Sequence, residues 1–308
     1  MPSRKASHAG SWYSGNKAQL SSQLAQFLST PPNKSLSPPS TTKPLGIISP
    51  HAGYSYSGPT AGSTFREGLE RRLQHGNDLT HVFVIHPSHH VYLTGVGVSP
   101  CDTIETPVGN LSVDKSVQRE IASELVSEGV EVVEISKEQD EDEHSGEMQY
   151  PLISHLLSSH NSNAKIVPFM IGSTSPETSN AIGRVLATRI FQPTTFTVVS
   201  SDFCHWGRRF QYSPFSNSGD IASSITRLDH EGMTEIEKLS PGGFVGYIKR
   251  TRNTICGRHP IESFLYAVEV KYGGGGSGSF QFVRYEKSSE VVDIQDSSVS
   301  YAGGVFYG

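Results

Sequence analysis

Sulfur is scarce in this chain: 308 residues hold only 3 cysteines and 4 methionines, with 2 tryptophans. Cys101, Cys204 and Cys256 are too few and too widely spaced for a disulfide framework or a structural zinc ribbon. They are expected as free thiols in a reducing compartment. Long apolar runs are missing too, so no membrane span is expected, and the opening MPSRKASHAGSWYSG lacks the apolar core of a secretory signal. A cytoplasmic and nuclear location follows as an expectation. Positive charge is not in excess: 25 Lys and Arg stand against 30 Asp and Glu, a formal net charge of -5. Without a broad basic field, nucleic acid is not an expected partner.

What the chain has is glycine (30), proline (18) and histidine (13), on a hydrophobic content of 35% that suits a folded core with many loops. Residues 17–28 carry Leu20, Leu24, Phe27 and Leu28 at helical spacing. A Pro/Ser-rich connector over 29–44 reads as exposed, and a glycine-rich loop over 273–279 as a flexible turn. Between them short apolar runs (45–49, 81–85, 130–135, 164–172, 195–201) alternate with amphipathic segments. The latter include a helix from about Pro59 and helices from Asp114, within 141–157 and after Ser175. Helices are further expected near 219–228, 233–239 and 260–272, with paired strands at 280–285 and 299–308. This order predicts an α/β fold, a mostly parallel central sheet with helices on both faces, as one domain over 1–308.

Ligands of such sheets gather beyond the carboxyl ends of the strands. Three of the strands end there in polar clusters: PHAGY after residue 49, PSHH after 86 and SDFCHWG after 200. His51 and His89, read as lying on adjacent strand ends, are the leading pair of metal ligands, since imidazoles there can converge to the ~2.0–2.1 Å a first-row ion requires. A third ligand is sought in Cys256, near a helix start, or in Asp202, which is equally suited to orient a neighbour. His205 is the acid/base candidate, its ordinary pKa lying near ~6.5. Glu141, Asp142 and Glu143 read as a solvated charge run. His144, framed by them, is expected to be protonated and able to meet an anion. Arg208 and Arg209, with Arg258 and His259, suggest an anion site walled by Trp12, Tyr54 and Tyr56.

Taken together, SHAGSWY, PHAGYSYSG, PSHH, DEDEHS, SSDFCHWG and NTICGRHP, spread from residue 7 to the C-terminal strands, resemble the Memo family of mediators of cell motility. That family is itself similar to the class III extradiol dioxygenases, non-haem iron(II) enzymes, and the resemblance implies their fold. It also implies His51 and His89 as imidazole ligands, Cys256 where those enzymes have a carboxylate, Asp202 beside the site, and His205 as base. A thiolate favours copper or zinc as well as iron(II), so ring cleavage does not follow. Memo sequences have glycine where this chain has His86. The resemblance implies two functions. One is a metal-binding redox protein acting on dioxygen or a small molecule in motility, cytoskeletal or metal and oxidant homeostasis. The other is a non-catalytic adaptor that binds a phosphotyrosine peptide through Trp12, Tyr56, His144, Arg209 and Arg258.

Overall fold

Successive side chains of a strand face opposite ways, so a sheet covered on both faces needs apolar residues at odd and even positions alike. The strands are Pro44–Ser49 (β1), His81–Pro87 (β2), Val96–Val98 (β3), Val132–Glu134 (β4), Lys165–Ile171 (β5), Thr195–Ser200 (β6), His205–Trp206 (β7), Ser279–Lys287 (β8) and Ser298–Tyr307 (β9). In β2, Val82 and Val84 enter one apolar cluster and Phe83 and Ile85 the other; in β1, Ile47 and Ile48 divide likewise. Each fully buried aliphatic side chain contributes about 1.5–3 kcal/mol. This is a computed structural model and describes residues 2–34, 43–76, 78–214, 220–273 and 278–308. Residues 35–42 of the connector and 274–277 of the glycine-rich loop lie outside the described residues.

The sheet runs β7-β9-β1-β6-β2-β5-β3-β4, with β8 also paired to β9. Its centre, β1-β6-β2-β5, is parallel, whereas β9 joins β1 and β3 joins β5 antiparallel. One face is covered by Lys17–Leu28 (α1), Tyr54–Phe65 (α2) and Tyr150–Ser159 (α4). The other is covered by Lys115–Ser127 (α3), Pro176–Ala187 (α5), Ile221–Glu237 (α6), Pro241–Thr251 (α7) and Arg258–Tyr272 (α8). The α/β architecture with a largely parallel centre is therefore present. A separate small sheet joins Ser3–Arg4 to Thr103–Ile104 and Leu111–Ser112. Among the described residues no helix is long and apolar enough to cross a membrane.

Several elements depart from the sequence reading. The second helix begins at Tyr54, and Pro59 sits inside it rather than at its start. The segments expected near 219–228 (residue 219 lying outside the described residues) and 233–239 form one helix, α6. It runs through Gly232 because the Tyr247 ring lies there: a Cβ would stand 2.7 Å from Tyr247 Cε1. Helix α7 was not expected, although Ser240 caps it and Pro241 opens it. The run 130–135 yields only the short β4.

Candidate metal centre

His51 and His89 do not stand on neighbouring strands, because β6 separates β1 from β2. Strands two places apart lie about 9.5 Å from each other, yet the two ring centroids are 5.3 Å apart. The rings lean toward each other over the end of β6, and that strand's last residue, Ser200, fixes one of them. The Ser200 hydroxyl donates to Ser145 O at 2.8 Å and accepts from Gln149 Nε2 at 2.9 Å. Its one proton being spent, its 2.9 Å contact with His51 Nδ1 must be donated by the imidazole. His51 Nε2 then carries the lone pair, 3.1 Å from Cys256 Sγ. Burial first, then His89 and His144, push the His51 pKa well below its ordinary value and keep it neutral.

His89 is oriented in the same manner by a carboxylate. Its Nδ1 lies 2.9 Å from Glu143 Oε1, and its backbone N–H donates to Glu143 Oε2 at 2.6 Å. Burial opposes ionisation of Glu143, but the hydrogen bond from His89 and the neighbouring histidines outweigh it and hold the carboxyl far below its usual range. An ionised carboxylate only accepts, so His89 Nδ1 is the protonated nitrogen and Nε2 faces the cluster. Burial likewise opposes a charge on His89. Cys256 and Glu143 overcome it and raise the pKa to about 10. Glu143, read from sequence as solvated, is thus a buried orienting group.

Cys256 arrives from the turn before α8 and accepts the Asp202 N–H at 3.3 Å. Residue 257 has to be glycine, for a Cβ would stand 2.4 Å from Ser201 Cβ and 2.5 Å from Ser200 O. Only that close approach brings the thiol over β6. One donor atom each from His51, His89 and Cys256 lies within 4.8 Å of the others, a spacing that fits a first-row ion. His89, Glu143 and His144 form a second such group, in which Glu143 Oε1 is already bound to His89. Asp202 is not among the converging residues. Its Oδ1 accepts the N–H groups of His51 and Ala52 at 2.8 and 3.3 Å, and burial raises its pKa.

A cavity of about 380 Å³ opens beside the thiol, lined by His89, His205, Phe210, Cys256, Arg258 and His259 among others, and by no acidic residue. His205 Nδ1 is 2.9 Å from Phe203 O and 3.1 Å from Thr254 O. Carbonyls only accept, so Nδ1 carries a proton and Nε2 is the nitrogen left to meet a ligand. The remaining expected site residues scatter. Arg209 is exposed with its guanidinium 4.5 Å over the Phe210 ring, and Tyr56 is 61% exposed on α2. His86 is buried and bonded to Ser145 and Pro87 O, away from the converging set.

Trp12 and His144 lie behind His89. The His144 ring stacks on His89 with centroids 4.6 Å apart, and Trp12 lies 4.4 Å beyond. The expectation of a protonated His144 is overturned: burial, with His89, His8 and His90 nearby, outweighs Glu143 and lowers its pKa to about 3. Residues that carried no signal in the sequence include Ser200, Gln149 and Arg4. Arg4 is fully buried, ion-paired with Asp140 at 3.1 Å and Glu147 at 2.6 Å, and fastens the N-terminal segment that bears Trp12.

Protein MEMO1 of Xenopus laevis is 41% identical over 305 residues, covering 98% of this chain and 96% of its own. Human Protein MEMO1 is 39% identical over 306 residues with the same coverage, and the memo-1 homolog of Caenorhabditis elegans is 37% identical over 99% of this chain and 82% of its own. The solved structure of an uncharacterized Escherichia coli K12 protein, JW3007, gives a TM-score of 0.42 at 14% identity over 84% of this chain and 98% of that one. The family model described as Memo-like protein matches residues 4–305, and the chain belongs to the Memo family.

Proposed function

We propose that this chain is a metal-binding redox protein that takes iron(II) or copper between His51, His89 and Cys256, a donor set that also accepts zinc. The observation that supports this most strongly is the convergence of two imidazoles and a thiol within 4.8 Å, each imidazole held at Nδ1 from behind so that its Nε2 faces the others, with His89 giving up its Nε2 proton when an ion binds. A redox-active ion bound there supplies one-electron chemistry and open positions for dioxygen or a small molecule. The chain's own groups do the rest. His205 accepts a proton at Nε2, its other nitrogen being committed to carbonyls. Phe210 and Ile171 wall the cavity against water, and Arg258 supplies a fixed positive charge at its edge. With a thiol in the carboxylate's place, ring cleavage is not part of the proposal. The role we infer is regulation of cell motility, the cytoskeleton or metal and oxidant balance, in the cytoplasm and nucleus, where three free cysteines are at home.

One observation favours the adaptor reading: Arg258 lines an acid-free cavity, as a phosphotyrosine would need. A neutral His144 and the exposed positions of Arg209 and Tyr56 weaken it. Metal analysis and dioxygen uptake of the parent and of Cys256→Ser separate the two. Near-stoichiometric iron or copper in the parent, with affinity reduced at least about tenfold in the variant, is expected. A parent that binds no ion under reducing conditions, yet holds a phosphotyrosine peptide after chelation, would leave the adaptor standing instead.

A further inference from the structure

A second cavity, about 520 Å³, has in its lining Trp12, whose ring packs on His144. It is lined by the loop 10–16, by Gln19, Gln23 and Phe27 of α1, and by the start of α2. Not one Asp, Glu, Lys, Arg or His lines it. Its two phenols, almost wholly buried, are spent inward, Tyr13 donating to Glu147 Oε1 at 2.7 Å and Tyr54 to Met148 O at 2.8 Å, so neither hydroxyl is free to meet a ligand in the cavity. Those rings and Phe27 form an aromatic floor: Tyr13–Tyr54 and Phe27–Tyr54 centroids are 5.5 and 5.9 Å apart.

The polar groups around that floor are unspent carboxamides. Asn16 Oδ1 caps α1 through Gln19 N–H, and Gln19 Oε1 accepts from the Ser14 hydroxyl, which leaves the NH2 of both without a partner among the described residues. Gln23 Oε1 is buried with no hydrogen-bond partner among the described residues. An orphaned buried acceptor is destabilising until a donor reaches it. Rotation of the amide about its last torsion, which is broad, offers that oxygen to an incoming N–H. The loop needs no ordering on binding. Gly10 N–H donates to Tyr13 O at 2.7 Å, Tyr54 N–H to Trp12 O at 3.0 Å, and Asn16 N–H to Ser14 Oγ at 3.2 Å. Trp, Tyr, Ser, Gly and Asn in one preformed loop is the composition by which proteins bind peptide surfaces, rigid rings giving area and small polar groups giving hydrogen bonds.

We propose that this cavity binds an uncharged, extended peptide segment. One apolar side chain of the segment rests on the Tyr54–Phe27 floor. Its backbone N–H meets Gln23 and its carbonyls meet the carboxamides of Asn16 and Gln19. A charged anchor is excluded because nothing in the lining could neutralise it once desolvated. The proposal is independent of the metal reading. It gives Trp12 a second duty in the lining of this cavity, its ring packed on His144, which in turn stacks on His89.

The test uses the full-length chain with capped, neutral tripeptides, acetyl-Gly-Phe-Gly-amide and acetyl-Gly-Leu-Gly-amide. Matched Glu- and Lys-centred peptides and chitotriose serve as competitors of other chemistry. Binding is followed by Trp12 fluorescence and by the side-chain amide NMR signals of Gln23. Saturable binding of the neutral peptides is expected, at least about tenfold weaker for the charged ones and for Gln23→Leu, with the urea midpoint of that variant unchanged or higher. Four results overturn the proposal: no saturable shift up to the solubility limit, equal binding of charged probes, binding of chitotriose alone, or peptide affinity unchanged in Gln23→Leu. Should Gln23→Leu fold poorly, Gln23→Met carries the same readout.

Discussion

Two buried carboxylates hold the two walls of the candidate site, and they do so under opposite electrostatics. Glu147, on the N-terminal side, accepts from Arg4 at 2.6 Å, from Tyr13 at 2.7 Å and from His8 through both its backbone N–H and its ring. Burial disfavours its charge, but the hydrogen bonds from His8 and the Arg4 charge prevail and lower its pKa to about 2. Asp229, bonded to the backbone of Cys204 next to His205, accepts from neutral donors: Cys204 N–H at 3.2 Å, Asn253 Nδ2 at 3.1 Å and Tyr285 OH at 2.9 Å. With no cation beside it among the described residues, burial dominates and its pKa rises. Similar hydrogen-bond counts therefore say little about the charge state of a buried acid. A partner cation decides it.

The largest effect expected from that contrast is at Glu147. Glu147→Ala leaves the Arg4 guanidinium with Asp140 as its one carboxylate and should cost about 3 kcal/mol, read as a fall in the urea midpoint at unchanged slope. The pH dependence has a definite sign. A folded pKa near 2 against an ordinary 4.5 means that Glu147 stabilises fully above about pH 4.5, and that this is lost as pH falls toward 2. Glu147→Gln should therefore flatten the acid limb of the stability curve. If parent and variant lose stability equally between those limits, the cation is not what sets the charge.

The next effect concerns the neighbour that Arg4 also supports, since Arg4 Nη2 donates to Glu143 O at 2.8 Å. Glu143→Gln keeps an acceptor for His89 Nδ1 and removes the charge. On the metal reading, affinity for the ion should fall about 10–100-fold by chelator competition, with little change in unfolding. An unchanged affinity would mean that His89 is aimed by packing against His144 alone.

How much of this could be read beforehand follows from range. The strands were legible because runs such as HVFVI and TFTVVS are apolar on both faces, which is local information. The presence of His51, His89 and Cys256 at loop positions was legible too. What was not legible was that β6 lies between the two histidines, because strand order is set by pairings such as Val84 with Val198, distant in sequence. Glu143 looked like an ordinary surface charge and Arg4 carried no signal, because they are buried by contacts 54 and 136 residues away. His144 misled for the same reason. Its acidic sequence neighbours suggested a cation, while the histidines and Trp12 packed on it come from other segments and desolvate it.

At Asp229 the sign reverses. A raised folded pKa means that its stabilising contribution is present below about pH 3.8 and is lost as pH rises through the folded value. Asp229→Asn, which keeps one acceptor and carries no charge, should cost on the order of 1 kcal/mol in acid and less near neutrality. The discriminating measurement is the difference in unfolding free energy at the two ends of that range. A cost that grows toward neutral pH would show an ionised Asp229 and erase the contrast with Glu147.

The smallest effect tests how far the neutral hub reaches. Asp229 fixes Cys204 N–H, the adjacent His205 ring lies 5.2 Å from Phe210, and Arg209 covers Phe210 at the surface. An exposed cation over a phenyl face is worth about 0.5–1 kcal/mol, and Arg209 makes no ion pair among the described residues. Arg209→Ala should thus lower stability by no more than that and leave metal content unchanged. Phosphotyrosine-peptide affinity, measured on the same variant after chelation, should also be unchanged if the cavity serves a metal-bound small molecule. A drop of tenfold or more there, without loss of metal, would turn the positively lined side of the cavity into the peptide site and reverse the order of the two functional readings.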